Sequence, residues 1–188
     1  NPLIANINWS PNQKNIAFTN TSSDGVRLWV LNLESRSLTK LSDLKLNSNI
    51  GDVINWVNDN EIIVKVIPEN KQNLIDQDGI VPMGPTISSN EGENAQNRTY
   101  QDLLKNKTDE FNFEQLVTSD LYLINLNGKT QKWLDADMYT SISPSPDGNF
   151  IMVSNIKKPF SYIVTYGRFP RTTNIYNYEG KIISNLAN

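Results

Sequence analysis

Lys157, Lys158, Arg168 and Arg171 bracket Phe160, Tyr162, Tyr166 and Phe169 in "KKPFSYIVTYGRFPR", residues 157 to 171. Cations set among aromatic rings can build an interface or a wall that holds a carboxylate. The same wording also fits a strand whose charges sit in solvent at its ends. Other candidates for chemistry are sparse. Ser143 and Ser145 have no histidine anywhere in the chain to activate them, and neither lies in a G-x-S-x-G elbow. The absence of His and Cys excludes a histidine base, most zinc sites, a thiolate and any disulfide within these residues. Asp76, Asp78 and Gly79 share the opening of a calcium loop but lack its later carboxylates, so they read as a solvated loop. Asp135 and Asp137 read as exposed turn residues. No catalytic residue, metal site or cofactor is expected in the chain.

The elements that carry these residues repeat. "INLNGKTQKWL" at 124 to 134 aligns with "LNLESRSLTKL" at 31 to 41 and with "YNYEGKIISNL" at 176 to 186, so that Asn32, Asn125 and Asn177 coincide. "INWSPNQKNIAFTN", "VINWVNDNEIIVKVI" and "YTSISPSPDGNFIMVSN" each read as strand, tight turn and strand, and Trp56 follows Trp9 by 47 residues. Four short strands recurring every 40 to 50 or so residues describe a propeller blade; a β-sandwich is the alternative. The expected fold is all-β: a partial propeller of about three four-stranded antiparallel blades. The chain, 1–188, divides into a first blade at about 5–42, a second at about 53–135 and a third at about 139–187. Trp9, Trp29, Trp56 and Tyr122 recur at equivalent strand positions and are expected to pack blade against blade. Closed propellers generally need about four or more blades. Further blades are therefore expected after Asn188, and exposed blade edges favour self-association when these residues stand alone.

The second blade is interrupted by residues 69–118, which hold nine acidic and four basic side chains. Their first part is irregular, rich in Pro, Gly, Asn and Ser. In "NRTYQDLLKNK" the period changes: Tyr100, Leu103 and Leu104 share a helical face, and Asn97 is placed to cap it. A short helix is expected at about 98–106. An insertion of this length either decorates a blade edge, covers a substrate route or contacts another domain.

Net charge is −3, with no basic footprint for nucleic acid and no apolar run long enough to span a membrane. The chain starts at Asn1 rather than Met, so it is expected to have been trimmed, with any targeting segment lost at the same time. "NWS", "NTS", "NRT" and "NKT" match the glycosylation acceptor pattern, which an Asn-rich chain produces freely.

"VPMGPTISSNEGENAQNRTYQDLLKN" followed by "YTSISPSPDGNFIMVSNIKKPFSYIVTYGRFP" resembles the amino-terminal propeller of glutamyl endopeptidases, in the prolyl oligopeptidase family of serine peptidases. The likeness runs from "WSPNQKNIAFTN" through "YGRFP" and includes the insertion. It implies a propeller that gates or docks peptide substrates for a carboxy-terminal α/β-hydrolase domain, absent from this chain, that cleaves after Glu. The parent is then a serine endopeptidase, while these residues hydrolyse nothing themselves. A Glu pocket needs fixed positive charge, and Arg grips a carboxylate through paired hydrogen bonds. Arg98 and Arg168 are the candidates, since both fall in the stretches that carry the resemblance. The implied partners are peptide substrates and the hydrolase domain of the same parent chain. The Asn-rich and Lys-rich wording points to a bacterium and, with exported relatives, to the periplasm; a plant source would place it in the plastid. The competing reading is a purely binding scaffold propeller of the cell envelope.

Overall fold

The computed structural model describes residues 3–76 and 103–187. These form three four-stranded antiparallel sheets, each a meander in chain order. The first contains β1 (Leu3–Trp9), β2 (Asn15–Ser22), β3 (Gly25–Asn32) and β4 (Ser37–Lys40). The second contains β5 (Ile54–Asn58), β6 (Glu61–Val66), β7 (Ser119–Asn125) and β8 (Thr130–Asp137). The third contains β9 (Tyr139–Pro144), β10 (Phe150–Ile156), β11 (Arg171–Asn177) and β12 (Ile182–Ala187). The first strands of the sheets contact their counterparts in sequence, β1 with β5 and β5 with β9. This is the arrangement of blades around an axis, and the molecule is an open, partial β-propeller.

The repeated asparagine has a local cause. Asn32 Oδ1 accepts from Ser35 N, Asn125 Oδ1 from Asn127 N and Lys129 N, and Asn177 Oδ1 from Lys181 N. Each side chain thus closes the turn between the third and fourth strands of its sheet. The first turn of the sheets is also repeated. Ser10 Oγ bonds Asn12 and accepts from Asn15 N, while Ser145 Oγ bonds Asp147 and accepts from Phe150 N.

Packing between sheets explains the run "IIV". Ile62 and Val64 face the first sheet, in a core with Ala17, Leu28, Val30 and Trp56. Ile63 faces the third, in a core with Leu121, Tyr139, Ile151 and Val153. A strand covered on both faces has no polar side to alternate with, so its sequence reads as continuous apolar residues.

The helix is displaced from its expected place. Residues 98–102 lie outside the described residues, and 103–105 are not helical; α1 spans Lys107–Val117. Asn106, not Asn97, caps it, with Oδ1 accepting from Asp109 N at 2.9 Å. Asp109 and Glu110 then place negative charge in the first turn, where the helix dipole favours it. Leu103 and Leu104 supplied the helical period, yet they precede the helix and pack near its Phe113.

Trp56 packs as expected and donates its indole N–H to Asn8 O at 3.2 Å in the neighbouring sheet. Trp29 and Tyr122 are half-buried. Trp9 is the exception: it is 54% exposed, and Leu3, Ile4 and Ile7 of the same strand are exposed with it.

Candidate functional site

The insertion and "KKPFSYIVTYGRFPR" meet. The latter is not a strand before Arg171: Pro159 follows a cis peptide bond, and Tyr166–Arg168 forms one 3-10 turn. This connection between β10 and β11 lies against α1. Phe113 sits edge-on to Phe160 and Phe169, with ring centroids 5.3 and 5.7 Å apart, and Phe160 stacks on Phe169 at 5.3 Å. Such geometry contributes beyond the apolar area it buries. Val117, Met138 and Ile156 extend the cluster into the end of the third sheet.

Polar groups fix the same contact at its rim. Lys158 Nζ pairs with Glu114 at 2.8 Å, and the Tyr162 hydroxyl donates to Glu110 at 2.7 Å. Glu110 also receives Lys107. The Tyr162 hydrogen bond and the Lys107 ammonium hold the Glu110 carboxyl below its ordinary range, and the same bond raises the Tyr162 phenol. The other end of the helix is tied to the connection between the first two sheets. Asn47 Nδ2 donates to Leu116 O and Thr118 O, and Asn49 Nδ2 donates to Leu116 O. α1 therefore joins segments of all three sheets.

The four basic residues of the stretch separate into distinct roles. Lys157 pairs with Asp137 at 2.6 Å and Lys158 with Glu114, so neither ammonium stands free. Arg171 opens β11, half-buried. Arg168 is exposed at the end of the 3-10 turn, and its guanidinium engages no carboxylate among the described residues. Next to that turn an apolar cavity of about 250 Å³ is lined by Leu103, Leu104, Phe113, Val164, Tyr166 and Phe169. Arg98, the other expected carboxylate ligand, lies outside the described residues.

Asp137 corrects its sequence reading. Its carboxylate is no loose turn group: it binds Lys157, Asn155 Nδ2 and the Met138 amide, while Asp135 remains open to solvent. Among the described residues no group of three or more acidic side chains is arranged to hold a metal. Sequence reasoning missed Asn112 and Gln115 on α1, which bind the main chain of Ile75 and Gln72. Placing the cap at Asn106, three residues before Asp109, would have put both on one helical face.

No family model matches the chain. A protein of Oryza sativa subsp. japonica named probable glutamyl endopeptidase, chloroplastic, is 37% identical over 191 residues. One of Arabidopsis thaliana with the same name is 31% identical over 190 residues. The chain resembles the glutamyl endopeptidases. Each match covers 96% of the chain but only 20% of the relative's length. Among solved structures, an acylaminoacyl peptidase from Pyrococcus horikoshii matches 95% of the chain and 31% of its own, at 18% identity and a TM-score of 0.33. The β-propeller domain of the Trilobed protease from Pyrococcus furiosus matches 97% of the chain and 56% of its own, at 15% identity and a TM-score of 0.34. The architecture of the present chain stands on its own three sheets and the joints between them.

Proposed function

We propose that this chain is the non-catalytic propeller portion of a serine endopeptidase of the prolyl oligopeptidase family. In this reading it gates or docks peptide substrates for an α/β-hydrolase domain of the same parent chain, which cleaves after Glu. The match over 96% of the chain to two proteins named glutamyl endopeptidase carries the reading. The lack of any His supports it, because a Ser-His-Asp triad then needs residues beyond these. The blades run over about 5–42, 53–135 with the insertion 69–118, and 139–187.

Arg168, with Arg98, supplies positive charge for the Glu carboxylate; the exposed guanidinium of Arg168, which engages no carboxylate among the described residues and lies beside an apolar cavity, supports its part. The test is the parent enzyme with Arg168→Ala and Arg98→Ala, assayed on matched Glu and Gln peptides. A Michaelis constant raised at least tenfold for Glu substrates alone supports the assignment, and an equal change for both, or none, removes the residue from the pocket.

Exposed Leu3, Ile7 and Trp9 on the first sheet and Phe150, Ile182 and Leu186 on the third are the surfaces through which isolated copies self-associate. The compartment is the plastid for a plant source, in keeping with the relatives' names, and the periplasm for a bacterial one. Among the described residues no helix is long and apolar enough to cross a membrane.

A further inference from the structure

Directly opposite residues of an antiparallel pair share a face of the sheet. By that rule Trp9, Ile16, Leu31 and Leu38 form one apolar row across the first sheet. The corresponding row is Trp56, Ile62 and Ile124 in the second sheet, and Ile151 with Tyr176 in the third. Both later rows pack against the sheet before them, the second with Ala17 and Val30 and the third with Ile63 and Leu123. Ala17 and Val30 are themselves an opposed pair, one residue along from the row of their own sheet and so on its other face; Ile63 and Leu123 repeat this. In the third sheet the same pair is Met152 and Ile175.

Each sheet therefore carries an inserting row on one face and a receiving pair on the other. Two such faces are left over. Among the described residues no sheet precedes the row that contains Trp9, and Trp9 and Leu38 are more than half exposed. None follows the pair Met152 and Ile175, and Met152 is exposed together with Phe150, two residues before it on the same face. These two faces continue the pattern that is already joined twice within the chain, so one fits the other. The polar end of the tryptophan is matched as well. Trp56 donates its indole N–H to Asn8 O, and Asn8 stands opposite Ala17; the residue that stands opposite Met152 is Ser143.

We propose that the third sheet of one copy receives the first sheet of a second copy, and that two copies close head to tail into a ring of six sheets. Trp9 then donates its indole N–H to the main-chain oxygen of Ser143 in the other copy. A contact between unlike faces either closes into a ring or runs on as a filament. Propellers close with about four to eight blades, and six is the one multiple of three in that range. The ring leaves no inserting row and no receiving pair in water. The inference rests on the self-association stated above and adds its direction and its number; in a longer parent, further blades take the same two faces.

Sedimentation equilibrium of the chain tests this, with Trp9→Glu and Met152→Glu. The unaltered chain should reach twice its own mass and grow no further as concentration rises. Each variant places a charge in both contacts of the ring and should weaken association at least about a hundredfold. An equal mixture of the two variants restores one contact in which both faces are unaltered, and it should associate at least about tenfold more tightly than either variant alone. If only one variant weakens association, like faces are meeting and the head-to-tail arrangement is wrong. Species that keep growing beyond two copies refute the ring. Both of these outcomes leave self-association standing, whereas a chain that stays monomeric at millimolar concentration overturns it together with this inference. Should either Glu variant lose its strand signal in circular dichroism, Trp9→Ser and Met152→Ser take their places with the same expected order.

Discussion

Trp133 donates its indole N–H to the main-chain oxygen of Tyr178 at 2.8 Å, tying the outer strand of the second sheet to the last hairpin of the third. The hairpin can come this close because Gly180 follows. It sits at φ +82°, and a Cβ there would lie 3.1 Å from Trp133 O. Gly128 makes the same approach one sheet earlier, at φ +80° and 3.0 Å from Leu41 O. Both glycines thus serve the turn and the joint between sheets. Gly180→Ala and Gly128→Ala should each cost about 1 to 2 kcal/mol, the penalty for a left-handed non-glycine residue. Gly51→Ala should cost more, since its Cβ would overlap Thr140 O as well as meeting the φ +59° strain. Urea unfolding of the three variants checks the order; equal costs would deny the close approaches any energetic role.

Lys65 is buried near the end of β6, where only 1% of it is exposed, and its ammonium donates to Ile50 O. Burial lowers its pKa from 10.5 to about 8, and Asp52 opposes the shift only in part. Below pH 8 the folded chain bears the whole cost of holding the charge, because both states are protonated. Between about 8 and 10.5 the unfolded state binds more protons, so stability rises with pH. A shift of this size corresponds to about 3 kcal/mol. Lys65→Met orphans the Ile50 carbonyl at about 1 kcal/mol, so it should still stabilise the chain by about 2 kcal/mol at pH 7. It should also remove the rise in stability between pH 8 and 10. Chemical denaturation across that range is the measurement, and a Met variant less stable at pH 7 would show that the amine is better solvated than its burial implies.

How much was legible follows from the range of each signal. The turn asparagines Asn32, Asn125 and Asn177 act on amides within four residues, so their repetition exposes the sheets directly in sequence. The run Ile62 to Val64 likewise marks a strand covered on both faces. The contact between Phe113 and Phe160 was not legible. Each residue belongs to an irregular stretch or a short helix, and nothing local in either names the other as its partner. For the same reason Leu103 and Leu104 gave a false helical period: they are apolar because they pack near Phe113, not because they share its helix. Trp9 matched Trp56 in type and spacing, but burial depends on a neighbouring sheet, which spacing alone does not supply.

Phe113 is the apolar anchor of α1 on the third sheet, touching Phe160, Tyr166 and Phe169. Phe113→Ala should cost about 2 kcal/mol, below the usual loss for a buried Phe because the ring is half-buried. The loss should fall on the helix rather than the sheets, whose cores lie elsewhere. Amide exchange across α1 should accelerate while β6 and β10 keep their protection. Uniform acceleration over the chain would mean that α1 and the sheets unfold as one unit.

Acid should release the same contact. Tyr162 and Lys107 hold the Glu110 carboxyl below its ordinary 4.5. A group with a lowered folded pKa contributes stability that is present above the unfolded value and lost as pH falls through the folded one. Protonation weakens the Tyr162 hydrogen bond and removes the Lys107 pair, so α1 should loosen from the connection between β10 and β11 below pH 4.5, before the sheets open. Glu110→Gln keeps a hydrogen-bond acceptor but no charge, and it should abolish the acid step while slightly loosening the helix at neutral pH. Tyr162 fluorescence and α1 amide exchange, followed from pH 7 to 3, read the transition. Its persistence in Glu110→Gln would remove Glu110 as the source of the acid response.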